Sequence, residues 1–205
     1  MSFRVRGVEI EDTFAEAFSM WGSRIIITAK NRKWANTAAT TMTGFATSVI
    51  ACDCEAGVER EVPPEETPDG RPGTSVMVFG FSRKRLMTPM LNRIGQCVLT
   101  CPTTAVFNGL PEEEADAMLD VGKSIRFFGD GYQVKMRMGD GWLGRRRFWR
   151  IPVMEGEFLI EEKFGAKKAV AGGNFLVMGE TEDATLEAAE RAVDCLLYTS
   201  PSPRD

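Results

Sequence analysis

The sequence predicts an α+β fold: a ferredoxin-like split βαβ lobe followed by part of a second α/β lobe. Up to about residue 107, apolar runs and helical patterns alternate in the order strand, helix, strand, strand, helix, strand. A second series of strand-like runs begins near residue 121. The 205 residues are enough for one or two domains with a packed core.

The first lobe begins with a β-branched run at residues 24–28, which predicts a buried strand. The helical spacing that follows starts at Asn31, a suitable N-cap, and stops at Gly44. A second helix is predicted from the cap Ser82 to about Leu99, with a start near Thr88 as the alternative because Pro89 lies inside it. Three further strands complete the lobe, at residues 48–52, 74–81 and 103–107.

The second part begins with an acidic stretch at 111–119, which predicts a short linking helix. A glycine-rich hairpin turn is predicted at 139–141. The last helix, at 182–194, is expected to bury Leu186, Ala189 and Val193 on its inner face. Four strands are predicted in this part, at residues 124–128, 146–153, 157–161 and 174–178.

We therefore expect a first, proximal lobe at residues 1–120 and an incomplete second, distal lobe at 121–195. Residues 196–205 break the pattern abruptly, because an apolar helix end stops in a serine- and proline-rich stretch that has no core-forming residue. We expect this tail to be non-native, translated from sequencing adapter, and the chain to be a fragment.

Composition excludes several classes of function. The net charge of −4 disfavours nucleic-acid binding as a default. There is no signal peptide, and no apolar run approaches the ~18 residues of a membrane span, so a cytoplasmic location is expected. The chain has no histidine, so proton transfer must use carboxylates, lysine, tyrosine, thiols or the substrates' own nitrogens.

The five cysteines allow two interpretations. They are reduced thiols of a cytosolic protein, or some of them bind a metal. The spacing of Cys52 to Cys54 and of Cys97 to Cys101 fits no common zinc pattern, so no metal site is expected.

A loop with four prolines and two glycines, at residues 63–73, separates two apolar runs. Proline fixes φ and removes an amide donor, so this segment is a stiff loop. It presents the adjacent carboxylates Glu65 and Glu66, an Asp69-Gly70 turn and then Arg71. Such rigidity around so many charges indicates a shaped binding surface, with a solvated loop as the alternative.

This loop is one of several segments that occur in a fixed order: GVEIEDTFAEAF at 7–18, TGFATSVI at 43–50, PPEETPDGRPG at 63–73, RIGQCV at 93–98, FFGDGYQ at 127–133, EGEF at 155–158 and VAGGNF at 170–175. Together they resemble the formylmethanofuran:tetrahydromethanopterin formyltransferase family. The resemblance implies two packed α/β lobes and an N-formyltransferase that moves a formyl group to N5 of the pterin carrier.

The resemblance further implies no tightly bound cofactor or metal, with methanofuran and tetrahydromethanopterin as co-substrates. It implies homo-oligomers or a formyltransferase/hydrolase complex, serving formaldehyde oxidation in bacteria or methanogenesis in archaea. The alternative function is a non-catalytic scaffold or a small-molecule-binding ferredoxin-like subunit, because this fold hosts many activities.

Formyl transfer needs aligned substrates, oxyanion stabilisation and proton handling. The candidate catalytic acids are Glu65, Glu66, Glu155 and Glu157. The last two flank Gly156, and a solvated hairpin turn is the alternative interpretation for them.

Substrate contacts are predicted for a second set of residues, because guanidinium binds carboxylates and glycine lets backbone amides approach a ligand. They are Arg71, Gln96, Asp130, Tyr132, Gly172, Gly173 and Asn174. The glycine segments could equally be plain turns. The basic cluster at residues 145–150 is a second anion-binding candidate or a solvated strand edge. The aromatic residues that could stack on a pterin or furan ring, or pack in the core, are Trp21, Trp34, Phe14 and Phe18.

Overall fold

The computed structural model describes residues 2–11, 17–46, 52–137, 146–154, 156–172 and 176–199. The mixed α+β class predicted from the sequence is confirmed. The helices are α1 (Arg32–Thr43), α2 (Arg83–Arg93), α3 (Val121–Ile125) and α4 (Glu182–Thr199). The strands are β1 (Ser2–Val5), β2 (Val8–Glu11), β3 (Phe18–Thr28), β4 (Glu55–Val62), β5 (Gly73–Gly80), β6 (Ala105–Asn108), β7 (Ala117–Leu119), β8 (Val134–Arg137), β9 (Arg147–Val153), β10 (Gly156–Glu161) and β11 (Phe164–Ala171).

The central sheet contains the ferredoxin-like unit, with strand order β4-β5-β3-β6 and every neighbouring pair antiparallel. The sheet continues past β6 because β10 pairs with it in parallel, followed by β9 and β8. β11 pairs with the first half of the long strand β3. The sheet therefore crosses the lobe boundary expected at residue 120, and that division stays a prediction.

One transverse row of residues defines an end of this sheet. Strand pairing places Val62, Gly73, Thr28, Ala105, Leu159, Arg150 and Val134 side by side. Strands β3 and β4 finish at this row, and β5, β6 and β8 start there, while the hairpin of β9 and β10 extends three residues beyond it. We call it the Thr28 end. At the opposite end, called the Phe18 end, β3 begins and both β5 and β11 finish.

The core lies between the sheet and the helices α1 and α2. Helix α1 is capped by Asn31, whose side-chain oxygen accepts the Trp34 amide at 3.1 Å, and it ends at Gly44, both as predicted. Its buried residues repeat at helical spacing, so one apolar stripe faces the sheet. The fully buried core residues include Ile25, Ile27, Ala38, Met42, Val76, Val78, Leu86, Met90 and Ile94.

Several predicted elements are wrong. Residues 124–128 form the end of α3 and a 3₁₀ turn, not a strand, because Val121 and Ile125 bury one helical face. The stretch 111–119 forms a 3₁₀ turn and β7 in place of a helix. Residues 176–178 are not a strand. Strands β1, β2, β4, β7, β8 and β11 were not predicted.

The expected inner face of the last helix is also wrong, because the side chains of Leu186 and Val193 are 57% and 55% exposed. Little of the described chain packs on α4, so its apolar face stays open. The strand predicted at 48–52 lies outside the described residues except for Cys52, which is not in a strand. The turn at 139–141 lies outside them entirely.

Candidate functional site

The proline loop is held firmly against the Thr28 end. Asp69 and Arg71 form an ion pair, with Arg71 Nε 2.7 Å from Asp69 Oδ2. The Thr28 hydroxyl donates to the same carboxylate at 2.7 Å. Arg71 also donates to the Thr103 carbonyl at 2.6 Å and to Thr28 Oγ1 at 3.1 Å. The loop is therefore a rigid part of the surface, as predicted from its prolines.

These contacts give Arg71 a structural role. Its guanidinium already has three partners within the chain, so its role in the structure is to anchor the loop to the ends of β3 and β6. Contact with a substrate anion stays a prediction for this residue. The signal that sequence reasoning missed is Asp69, two residues earlier, which neutralises the arginine.

The candidate catalytic acids differ in their partners. Glu66 pairs with Arg60 at 2.7 Å, and Glu157 pairs with Arg150 at 3.1 Å. Glu65 makes no hydrogen bond or ion pair with the described part of the chain, so its carboxylate is available to a ligand. Glu155 lies outside the described residues.

Gln96 is exposed on a π-helical segment, Ile94–Val98, whose other side is buried and which extends α2 towards the Thr28 end. Such widened turns occur often at functional sites. A Cβ at the neighbouring Gly95 would lie only 3.3 Å from the Phe128 ring, so glycine lets that ring pack against the helix. The segments 93–98 and 127–133, distant in sequence, therefore meet here.

The second of these segments forms a tight exposed turn. Asp130 adopts a left-handed conformation with φ of +48°, and the Tyr132 amide donates to the Gly129 carbonyl at 2.8 Å. Three aromatic rings project from it: Phe127, Phe128 and Tyr132 are 66%, 57% and 78% exposed. Sequence reasoning missed Phe127 and Phe128 as surface residues because it placed them in a strand.

Strand register shows which predicted residues lie together. Tyr132 precedes β8, Glu157 lies at the start of β10, and the loop with Glu65 and Arg71 joins β4 to β5, all at the Thr28 end. Glu66, Gln96 and Asp130 belong to the same end by their neighbours in the chain. β8 is four strand spacings from β3, or about 19 Å, so these residues border an extended surface.

Gly172 is not part of this group. It follows β11 at the Phe18 end, has a φ of +80°, and donates its amide to Glu55 Oε2 at 3.0 Å. A Cβ there would meet the Phe18 ring at 2.7 Å, so glycine is required by both conformation and space. Its predicted companions Gly173 and Asn174 lie outside the described residues.

A buried ionic network supports the second half of the sheet. Arg146 donates from Nε to Glu161 Oε1 at 2.6 Å, and the Asn108 amide donates to Glu161 Oε2 at 2.7 Å. Burial raises the pKa of Glu161 above its ordinary value, although the bonds from Arg146 and Asn108 act in the opposite direction. Arg146 is thus a structural residue, contrary to the solvated edge considered for the basic cluster.

Glu162 and Glu59 experience the opposite shift. Glu162 pairs with Lys135 at 2.9 Å and with Arg147 at 2.8 Å. Burial alone would raise its pKa, but these cations outweigh burial and lower it. Burial of Glu59 is likewise outweighed by hydrogen bonds from Arg24 and Ser75, which hold its pKa below the ordinary 4.5.

The cysteines do not form a metal centre within the described residues, where no three metal-ligating side chains cluster. Cys52, Cys54, Cys97 and Cys101 are free thiols. Burial raises the pKa of Cys54 to about 12, so this thiol is protonated and unreactive near neutral pH. Among the helices in the described ranges, none has the length and apolar character needed to cross a membrane.

The fold and this surface define a class: an α+β protein of ferredoxin-like topology with carboxylates and an exposed turn at one end of its sheet, the groups that acid–base chemistry on a small molecule requires. The family model for formylmethanofuran-tetrahydromethanopterin formyltransferase matches residues 3–153, and a second model, described as the proximal lobe of that family, matches 156–200. The chain belongs to this family, so the resemblance found in the sequence is confirmed.

Individual relatives support the same family assignment. The chain is 53% identical over 193 residues to the formylmethanofuran--tetrahydromethanopterin formyltransferase of Methylobacillus flagellatus, covering 94% of this chain and 62% of the relative. It is 53% identical to the enzyme of that name from Methanocaldococcus jannaschii and 51% identical to a subunit of the formyltransferase/hydrolase complex of Methylorubrum extorquens. The chain thus spans about 62% of the length of the relatives it matches.

Two solved structures are similar. The formyltransferase from Methanosarcina barkeri superposes with a TM-score of 0.87 at 50% identity, covering 95% of this chain and 63% of that one. The formyltransferase/hydrolase complex from Methylorubrum extorquens, solved with methylofuran, gives the same values. The family model attaches the word proximal to residues 156–200, whereas we expected the proximal lobe at 1–120; the lobe boundaries remain a prediction.

Proposed function

We propose that this chain acts in an N-formyltransferase that moves a formyl group between formylmethanofuran and N5 of tetrahydromethanopterin in cytoplasmic one-carbon metabolism. The observation that carries the proposal is the 53% identity, over 94% of the chain, to a relative with that name. The two carriers are co-substrates in this proposal, and the reaction uses no tightly bound cofactor.

We propose the Thr28 end as the place of this chemistry. The pterin nitrogen attacks the formamide carbon, one C–N bond forms and the other breaks, and a proton passes from N5 to the departing amine. Glu65 and Glu157 are the proposed proton carriers. Gln96, exposed on the π-helical segment, is the proposed donor to the developing oxyanion.

Assembly is the second part of the proposal. One relative is named as a subunit of a formyltransferase/hydrolase complex, and a solved structure of that complex matches this chain. We propose that this chain likewise works as a homo-oligomer or within such a complex. The exposed rings of Phe127 and Phe128 offer apolar surface for a subunit contact.

The activity is tested by following formyl transfer between the two carriers. Because the relatives are longer, two proteins are assayed: this chain itself, and a chimera in which it replaces the matching segment of the Methylobacillus flagellatus relative. We expect the chimera to have a rate within about tenfold of that relative. A folded chimera with no rate above background would favour the scaffold or binding alternative.

The site assignment is tested in the same chimera. Glu65→Gln and Glu157→Gln are expected to lower kcat by about 10²–10⁴-fold where the residue transfers a proton. Glu112→Gln is the matched control, because Glu112 is an exposed acid on a 3₁₀ turn away from the Thr28 end, and it should change kcat less than twofold. If both site variants and Glu66→Gln keep the full rate, the Thr28 end is not the catalytic site.

A further inference from the structure

A groove at the Phe18 end of the sheet is separate from the candidate catalytic acids at the Thr28 end. It has a volume of about 490 Å³, within the range of small-molecule sites. It forms where β11 pairs with β3, with Lys168 beside Trp21, and where the chain leaves β5. Its lining residues are Ser19, Met20, Trp21, Phe81, Lys168, Ala169 and Val170.

The walls of the groove are partly apolar and include two aromatic rings. Phe81 is 58% exposed and Val170 is 69% exposed, while Trp21 is half-buried. The Phe81 ring is held by an edge contact to Phe18, with centroids 6.2 Å apart and planes at 71°. Positioned rings beside a concavity offer a preformed stacking surface to a flat ligand.

A cation lines the groove and a second lies at its rim. Two carboxylates lie nearby, because Asp116 accepts the Lys168 amide and Glu55 accepts the Gly172 amide. Lys168 is exposed, and its ammonium makes no ion pair with the described residues; Asp116 bonds only its backbone amide, at 2.8 Å. Arg83 lies 5.8 Å above the Trp21 ring and has no ion pair in the described ranges either. No carboxylate is among the lining residues. The Lys168 ammonium, which forms no ion pair with the described residues, therefore favours an anionic ligand at the groove.

We infer that this groove binds a flat aromatic ring that carries an anionic group. The ring lies against Trp21 and Phe81, and the carboxylate, sulfonate or phosphate contacts Lys168, with Arg83 at the rim. The inference goes beyond formyl transfer, and its test measures binding alone. It therefore stands or falls independently of the proposed reaction.

Three small probes separate the two parts of the recognition. The chain is titrated by calorimetry with 2-naphthoate, with neutral 2-naphthamide and with cyclohexanecarboxylate, which is anionic but not flat. We expect 2-naphthoate to bind about tenfold more tightly than either partner probe. Equal affinity for naphthoate and naphthamide, or no measurable naphthoate binding, would overturn the inference.

Variants locate the binding. Lys168→Gln should weaken naphthoate binding about tenfold and remove the preference over naphthamide. Lys167→Gln is the matched control, because Lys167 is exposed on the same strand but points to the opposite face, and it should have no effect. Phe81→Leu should weaken binding about fivefold. If Phe127→Leu at the distant turn weakens binding and Phe81→Leu does not, the ligand binds elsewhere and the inference is wrong.

Discussion

Replacing Arg71 by alanine tests whether this residue anchors the proline loop. The change removes its ion pair with Asp69 and its hydrogen bonds to Thr103 and Thr28. Asp69 has a side chain only 11% exposed, and it would keep the Thr28 hydroxyl and one backbone amide as donors but lose its counterion. Without its counterion, this carboxylate is poorly solvated in the folded state, and this lowers the free energy of unfolding.

The expected loss is about 3 kcal/mol of unfolding free energy. Hydrogen bonds to charged groups contribute about 1.5–3 kcal/mol each, but three bonds from one guanidinium do not add fully. Arg71 is 32% exposed, so water compensates part of the loss. Arg71→Lys keeps the positive charge but lacks the planar guanidinium, so it should lose about half as much unfolding free energy as Arg71→Ala.

Urea unfolding measures the effect, and Arg60→Ala provides the control. Arg60 and Glu66 form an ion pair near the same loop, but their side chains are 39% and 50% exposed, so its loss should cost less than about 1 kcal/mol. With a slope of about 2 kcal/mol/M, the Arg71→Ala midpoint should fall by about 1.5 M. If Arg71→Ala and Arg60→Ala lower the free energy of unfolding by the same small amount, Arg71 is not an anchor and is available to a ligand.

Three further outcomes are expected. Gly122→Ala should destabilise the fold by about 3 kcal/mol or prevent folding, because an added Cβ would overlap the Glu161 carbonyl oxygen. Gly57→Ala is the control: its Cβ would enter open space, so urea unfolding should show no change in stability. The stabilisation from Glu59 is present above its unfolded pKa and is lost as pH falls through the lowered folded value. Glu59→Gln should therefore reduce the fall of the urea midpoint that accompanies acidification below about pH 5. Cys54 should resist iodoacetamide at pH 8 in the native protein and react after unfolding, as read by mass spectrometry; rapid native labelling would contradict its burial.

Local signals predicted the parts of the fold that local chemistry determines. Helix α1 was predictable because Asn31 caps its own helix three residues on and Gly44 ends it. The stiffness of the proline loop was predictable because each proline restricts its own backbone and that of its neighbour. Both features depend on contacts between residues close in sequence.

The missed elements depend on distant contacts. β11 contains small residues in place of an alternating apolar pattern, and Gly165 is needed because a Cβ there would lie 2.5 Å from the Leu110 carbonyl. β4 is an edge strand with several charged residues, so its sequence lacks the alternation of apolar and polar residues that identifies a strand. At the site, Arg71 reaches partners 32 and 43 residues away, and no spacing in the sequence reports such contacts.

The two candidate sites lie at opposite ends of one strand, and this separation has a consequence for both. Trp21 and Thr28 are seven positions apart on β3, so the groove and the Thr28 end are about 23 Å apart. Residues at this distance without shared partners usually act additively. Lys168→Gln should therefore weaken naphthoate binding by the same factor whether or not Glu157→Gln is present, and Glu157→Gln alone should leave it unchanged. Non-additive effects would mean that the sheet couples its two ends, and that ligand and substrate do not bind independently.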